Sequence, residues 1–128
     1  MKKLILAAML GVAVIGTMSP MQSNASSWQA SLNPAKVWRA NENGSKIASV
    51  DHEQGNAWAS LDNGPDAIYA IVNNAHAESR CKSTYVENGD WEYLKNEKMV
   101  GGYSYTLCCK NSKATASWVW ATGGYDWD

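Results

Sequence analysis

The most regular pattern of apolar and polar positions lies between Tyr103 and Trp120, where two strand-like runs flank a short polar segment. Alternate residues of a β-strand point to opposite faces, so a period of two indicates a strand with one buried face. One face of the first run carries Tyr103, Tyr105, Leu107 and Cys109, and one face of the second carries Ala114, Ala116, Trp118 and Trp120. The polar segment 111–113 has the length of a hairpin loop. We predict a hairpin here, at the centre of a β domain.

Shorter runs bounded by turn residues predict the other strands. They cover 36–40, 45–50, 57–61, 67–72, 81–86 and 91–94. Asn43-Gly44 and Asn88-Gly89 mark two of the turns, because Asn and Gly accept the positive φ that tight turns need. About eight short strands at near-regular spacing favour an all-β fold with little helix, a single small antiparallel β-sandwich or barrel.

The two ends of the predicted domain carry weaker signals. Segment 26–34 is interpreted as a polar leader in which Trp28 and Leu32 serve as anchors. Residues 121–128 are interpreted as a tail that leaves the sheet at Gly123-Gly124, because paired glycines give the backbone unusual freedom.

The first residues of the chain have the pattern of a secretory signal peptide. Lys2 and Lys3 precede an apolar run over 4–15, and Ser23-Asn24-Ala25 forms a small-x-small cleavage site. We expect a signal peptide over residues 1–25 and a single aromatic-rich β domain over residues 26–128. The apolar run is shorter than the roughly 20 residues of a membrane span. The sequence therefore predicts a secreted, extracellular protein with no transmembrane span in the mature chain.

Charge and motif content narrow the classes of ligand. The formal net charge is −1, and the removal of Lys2 and Lys3 would make it more negative. Nucleic-acid binding calls for a clustered basic face, and none is visible in the sequence. No cofactor motif appears, and the cysteines lack the CxxC spacing or nearby histidine pair of a zinc site. We expect no nucleic-acid partner, no cofactor and no metal.

The chain holds three cysteines, which in an exported protein allow one disulfide and leave one thiol. Cys108 and Cys109 are adjacent in a predicted strand and point to opposite faces, so they are poorly placed to pair with each other. Cys81 and Cys109 each lie on the tyrosine-bearing face of their own predicted strand. We predict a disulfide between Cys81 and Cys109, with Cys81 to Cys108 as the alternative.

The aromatic residues are seven Trp and six Tyr, with no Phe. Trp and Tyr combine a large apolar body with a polar tip, so they suit positions between a core and water, sugar or a lipid headgroup. Packing in a small β core explains most of them, and we expect two or three to be exposed. The predicted binding residues are Trp118, Trp120, Tyr125 and Trp127. Docking of the tail into the core is the competing interpretation for the last two.

The layout of signal peptide, short aromatic-rich β domain and no enzyme motif is similar to that of small exported bacteriocins of the lactococcin 972 type. The nearest local similarity is Asn43-Gly44-Ser45-Lys46 in the first predicted hairpin. The resemblance implies a bacteriocin-like, antimicrobial protein. It assigns no role to particular residues.

Taken together, these patterns favour a non-enzymatic exported protein that binds an envelope component, a glycan or a partner protein through exposed Trp and Tyr. Peripheral contact with a membrane is compatible with the same side chains. One alternative is an inhibitor that presents the turn 41–44 to a protease or glycosidase. Another is a small secreted hydrolase that uses acids such as Asp62, Asp66 or Asp90, although their spacing shows no convergent pair.

Overall fold

The computed structural model describes residues 26–48 and 57–127. Within these ranges the chain folds into two antiparallel sheets and contains no helix. The described residues therefore include no helix that could cross a membrane. The all-β class and the sandwich architecture expected from the sequence are confirmed. The predicted signal peptide over 1–25 lies outside the described residues.

The structure has nine short strands. They are β1 (Ser26–Leu32), β2 (Arg39–Ala40), β3 (Lys46–Ile47), β4 (Trp58–Leu61), β5 (Ala67–Asn73), β6 (Thr84–Glu87), β7 (Asp90–Tyr93), β8 (Ser104–Asn111) and β9 (Val119–Asp126). One sheet has the order β1-β9-β4-β7. The other has the order β2-β8-β5-β6, and β3 also pairs with β8.

The core lies between the facing sides of the two sheets and follows the predicted period of two. On β5, Ile68, Ala70 and Val72 are buried while the residues between them are partly exposed. On β8, Tyr105, Leu107 and Cys109 point inward, as the alternation of the sequence predicts. Complete burial of a large apolar side chain stabilises the fold by roughly 1.5–3 kcal/mol.

The predicted central hairpin is wrong, because β8 and β9 belong to different sheets. Both edges of β8 are occupied, one by β5 and the other by β2 and β3. Both edges of β9 are occupied as well, by β1 and β4. Residues 112–118 therefore form a connector that crosses from one sheet to the other, and the second strand begins only at Val119.

The leader and the tail of the predicted domain are in fact its longest strand pair. β1 and β9 pair over seven residues, from Ser26 opposite Tyr125 to Leu32 opposite Val119. The expected anchors Trp28 and Leu32 are buried in the core. The interpretation of 121–128 as a tail that leaves the sheet is wrong.

Gly123 explains this error. A Cβ at this position would collide with the carbonyl oxygen of Ser60 and with the Trp28 indole nitrogen. That nitrogen donates a hydrogen bond to the same carbonyl at 2.8 Å. The glycine thus marks a close approach between strands rather than a flexible joint.

Asn41 joins the two sheets along one side of the sandwich. Its side-chain oxygen accepts a hydrogen bond from the Gln29 amide of β1 at 3.1 Å. The backbone amide of Asn41 donates to the carbonyl of Leu107 on β8 at 2.9 Å. The backbone amide of Glu42 donates to the carbonyl of Gln29 at 2.9 Å. On the other side, β6 and β7 are continuous through Asn88-Gly89. The sandwich is therefore close to a flattened barrel.

The predicted disulfide between Cys81 and Cys109 is wrong: all three cysteines are free. Cys109 points into the core from β8, opposite Ala70 of β5. Cys81 lies on the other side of β5, where its sulfur accepts a hydrogen bond from the Val72 amide at 3.3 Å. Strand β5 thus separates the two thiols.

Candidate functional site

The structure divides the four predicted binding residues into two pairs. Trp118 and Trp120 are each 50% exposed, as expected. Tyr125 and Trp127 are 3% and 0% exposed, so the expectation that they face solvent is wrong. Their rings pack together at 4.6 Å, and the Trp127 indole donates to the Lys46 carbonyl at 3.0 Å. The tail docks in the core because β9 continues through its glycines.

A row of aromatic and basic side chains crosses the outer face of the sheet β2-β8-β5-β6. Tyr69 on β5 lies opposite Lys110 of β8 and opposite Tyr85 of β6. Arg39 lies opposite Cys109, which places Trp38 beside Lys110. We call Trp38, Lys110, Tyr69 and Tyr85 the aromatic row.

The side chains of the aromatic row touch one another along its length. The Lys110 ammonium lies 4.6 Å from the centre of the Trp38 ring and 5.9 Å from that of Tyr69. The Tyr69 and Tyr85 rings meet edge to face, with 5.4 Å between their centres. Tyr85 is 43% exposed, and Trp38 and Tyr69 are partly exposed. The row is therefore a continuous surface that a ligand can reach.

Strand alternation sets the two tyrosines on this face. Ile68 and Ala70 point into the core on either side of Tyr69, and Thr84 and Val86 do the same around Tyr85. Each tyrosine therefore stands between two residues that anchor its strand in the core.

A tight turn before β2 positions Trp38. The Asn33 side-chain oxygen accepts a hydrogen bond from the Ala35 amide at 2.7 Å, and the Lys36 amide donates to the Asn33 carbonyl at 3.1 Å. Lys36 has a φ of 63°, in the left-handed region that non-glycine residues seldom adopt. The chain then enters β2 with Trp38 over Lys110.

A second contact between a cation and an aromatic ring lies beside the row. The Arg39 guanidinium is 5.1 Å from the centre of the Trp118 ring. The connectors 33–38 and 112–118 run together here, since the Thr115 amide donates to the Pro34 carbonyl at 3.2 Å. Trp118 therefore belongs to the same end of the molecule as the aromatic row.

Two other surface features are less developed. Trp91 and Tyr93 meet edge to face at 5.1 Å on β7, in the opposite sheet. A shallow cleft of about 280 Å³ lies elsewhere on the surface. Its lining includes Asn74, His76, Arg80, Val100, Tyr103 and Tyr105. The Arg80 guanidinium is already paired with the Glu78 carboxylate at 3.1 Å.

The thiols are poor nucleophiles in the folded protein. Burial raises the pKa of Cys81 to about 11, and that of Cys108 to about 11 as well. Burial also raises the pKa of Cys109 well above its ordinary value. Since the thiolate is the reactive form, these side chains stay protonated and unreactive near neutral pH.

Two of the acids considered for hydrolysis accept hydrogen bonds from groups close to them in the chain. Asp62 accepts a hydrogen bond from the Ser60 hydroxyl at 3.2 Å, and Asp90 accepts one from the next amide in the chain, that of Trp91, at 2.8 Å. Asp66 is exposed on the connector between β4 and β5. Among the residues of 26–48 and 57–127, no three His, Cys, Asp or Glu side chains converge on a common point suited to a metal ion.

No protein-family model matches the chain, and no curated protein sequence matches it. Among solved structures, one titled "Crystal structure of PirA" is similar over 86% of this chain and 100% of its own. The two are 14% identical in sequence, with a TM-score of 0.46. At this level the likeness carries no argument about function.

Sequence reasoning missed the aromatic row. Its signal is a tyrosine inside an otherwise aliphatic run, Tyr69 within 67–72, which places a polar-tipped ring on the outer face of a buried strand. The row itself depends on the pairing of Tyr69 with both Lys110 and Tyr85. Those partners are distant in sequence, and no local pattern specifies them.

Proposed function

We propose that this protein is an exported, non-enzymatic glycan-binding protein that holds a polysaccharide of the cell envelope on its aromatic row. The observation that carries the proposal is the alignment of Trp38, just before β2, with Lys110 of β8, Tyr69 of β5 and Tyr85 of β6. The Trp and Tyr excess and the predicted signal peptide support it.

The chemistry of the row matches that of a sugar chain. A pyranose ring presents apolar C–H groups on its faces and hydroxyl groups around its edge. Trp and Tyr offer an apolar face for the first and a polar tip for the second. Four strands at about 4.8 Å spacing give the row a length of about 14 Å between its outer strands. That length accommodates several sugar units of an extended chain.

The support beneath the row lowers the cost of binding. Ile68 and Ala70 are fully buried beside Tyr69, so the strand that carries this ring is held by the core. A side chain that is already ordered loses little conformational entropy when a ligand binds. A rigid aromatic surface therefore suits recognition of a flexible polymer.

Binding to a panel of soluble bacterial and plant polysaccharides tests the proposal, with isothermal calorimetry as the measurement. We expect Tyr85→Ala and Trp38→Ala to weaken binding about tenfold each, because loss of one stacking ring costs about 1–2 kcal/mol. Tyr93→Ala is the matched control, since Tyr93 is 46% exposed against 43% for Tyr85 but lies on the opposite sheet.

Unfolding by urea accompanies the binding assay and should show that both row variants remain folded. Equal losses of affinity in Tyr85→Ala and Tyr93→Ala would contradict the proposal, as would the absence of binding to every polymer in the panel. The antimicrobial action implied by the bacteriocin-like layout stays a prediction, to be measured as growth inhibition by the purified protein.

A further inference from the structure

We infer that the glycan held by the aromatic row is acidic, and that Lys110 recognises its negative groups. This inference rests on the proposed function and specifies the ligand class of the same site. Three observations carry it: the partners of Lys110, the distribution of charge along the chain, and the side of the sheet on which acids lie.

Lys110 and Arg39 contact aromatic rings instead of carboxylates. Within the part of the chain that the structure describes, neither cation has an Asp or Glu oxygen within salt-bridge distance. Lys46, in contrast, lies 2.7 Å from the Asp126 carboxylate, and Arg80 pairs with Glu78. An aromatic face attracts a cation and leaves its charge available to a second, anionic group.

Basic residues are concentrated where the two connectors meet. The segments 33–40 and 110–121 together carry four cations and no acid. These cations are Lys36, Arg39, Lys110 and Lys113. In the rest of the described ranges, acidic residues outnumber basic ones. A local basic surface on a protein with a net negative charge indicates a ligand of opposite sign.

Acids at the same end of the sandwich lie toward the other side of the sheet. Asp62 and Asp66 lie on the connector between β4 and β5, and Glu87 ends β6. In the strand order β2-β8-β5-β6, the basic side is thus β2 and β8, and the acidic side is β6. The negative groups of a bound chain would therefore lie over Trp38 and Lys110, while Tyr85 contacts its uncharged part.

The physical advantage of an acid at this position follows from the geometry. Lys110 lies between two rings, which displace part of the water around its ammonium group. Charge-assisted hydrogen bonds are stronger than neutral ones, and their strength increases further where water is partly excluded. A carboxylate or phosphate on the ligand supplies the counter-ion that the protein itself does not provide there.

Polygalacturonate and its fully methyl-esterified form test the inference, because they share one backbone and differ only in charge. We expect the wild-type protein to bind the acid about tenfold more tightly than the ester at low salt, the size expected of one or two ion pairs. Raising the salt concentration should remove the difference, since exposed charges are screened.

Variants of Lys110 identify the residue responsible. Lys110→Gln keeps a chain of similar length but removes the charge, and we expect it to weaken binding to the acid about fivefold while binding to the ester changes less than about twofold. Lys110→Arg should retain the preference for the acid. Glu87→Gln, on the opposite side of the row, should leave affinity for the acid unchanged or raise it.

A poly(glycerol phosphate) chain and vesicles of anionic phospholipid complete the comparison. Tighter binding to poly(glycerol phosphate) than to polygalacturonate assigns the negative group to phosphate, and the reverse assigns it to carboxylate; both outcomes support an acidic polymer. Equal binding of the acid and the ester overturns the inference and leaves the proposed function intact. Binding to the vesicles alone overturns both, because the ligand is then a lipid surface.

Discussion

At the scale of single residues, the two glycines of β9 differ in what surrounds them. Gly123 faces the core, where the Ser60 carbonyl and the Trp28 indole occupy the space that a side chain would need. At Gly124 a Cβ would meet its nearest neighbours, the Ser60 hydroxyl and the Trp58 ring, at 3.4 Å. That distance is ordinary van der Waals contact. The requirement for glycine therefore belongs to Gly123.

We expect Gly123→Ala to destabilise the protein by about 2–3 kcal/mol, because the added methyl group overpacks the core and disturbs a buried hydrogen bond. Gly124→Ala is the matched control and should change the stability by less than about 1 kcal/mol. Urea unfolding of both variants measures the difference. Equal stability of the two would show that β9 can shift to make room at Gly123.

The buried thiols make the stability of the protein depend on alkaline pH. The pKa of Cys81 and that of Cys108 rise from 9.0 to about 11 on folding, so the folded state holds its protons more tightly than the unfolded state does. This contribution to stability is complete below pH 9 and is lost as the pH rises toward 11. Urea midpoints from pH 7 to pH 10.5 should fall at the alkaline end.

The variant with Cys81→Ala and Cys108→Ala separates this effect from the titration of Lys and Tyr. We expect its urea midpoint to fall less steeply with pH than that of the wild type. Identical slopes in the two proteins would contradict the assignment to these thiols. Reaction with a thiol reagent at pH 8 should likewise be slow until urea unfolds the protein.

At the scale of elements, strands that the sequence marks by local alternation were predicted, and their partners were not. The runs 57–61 and 67–72 correspond to β4 and β5, because each is a short apolar run bounded by turn residues. β1 was missed because its buried residues alternate with Ser and Gln that resemble a polar leader. The predicted counterpart of β9 ends too early, because Gly123-Gly124 suggests a flexible segment where the strand in fact continues to Asp126.

Local sequence patterns do not specify which strands pair, and the reason is physical. β8 and β9 are neighbours in sequence, and a hairpin is the usual outcome for such neighbours. Each strand instead pairs on both edges with strands distant in the chain. The same dependence on distant partners hid the aromatic row, whereas the exposure predicted for Trp118 and Trp120 agrees with the structure.

Asn41 links β1 to the β2 side of the second sheet. We expect Asn41→Ala to cost about 1–2 kcal/mol, because it leaves the partly buried Gln29 amide without its acceptor. Asn41→Asp keeps an acceptor oxygen and should cost less. Urea unfolding gives the stability of each variant.

Amide hydrogen exchange distinguishes the loss of this junction from a general loss of stability. The Gln29 amide and the Asn43 amide, which also donates to Asn41 at 2.9 Å, should exchange faster in Asn41→Ala than in Asn41→Asp. Uniform acceleration across all strands would show instead that the variant opens only by global unfolding.

At the scale of the whole molecule, the pairing of β1 with β9 makes the domain depend on both ends of the described chain. β9 is central in its sheet, with β1 on one edge and β4 on the other. Removal of residues 119–128 would leave β1 without a partner and β4 paired only with β7, and it would expose the core residues Trp28 and Leu32. We expect this truncated chain to show no cooperative urea transition.

A substituted connector of unchanged length serves as the control for the truncation. Replacement of residues 113–117 by a Gly/Ser segment of equal length leaves every strand in place, and it should preserve a cooperative transition with a modest loss of stability. Cooperative unfolding of the chain that lacks β9 would contradict the central role assigned to this strand.

The same pairing sets the order of events during synthesis. Ser26 emerges from the ribosome long before its partner Tyr125 has been made, so β1 has no strand to pair with until β9 follows. Contacts between distant segments also form slowly, because a long loop must close first. The sheet that contains β1 can therefore be completed only after β9 has been made.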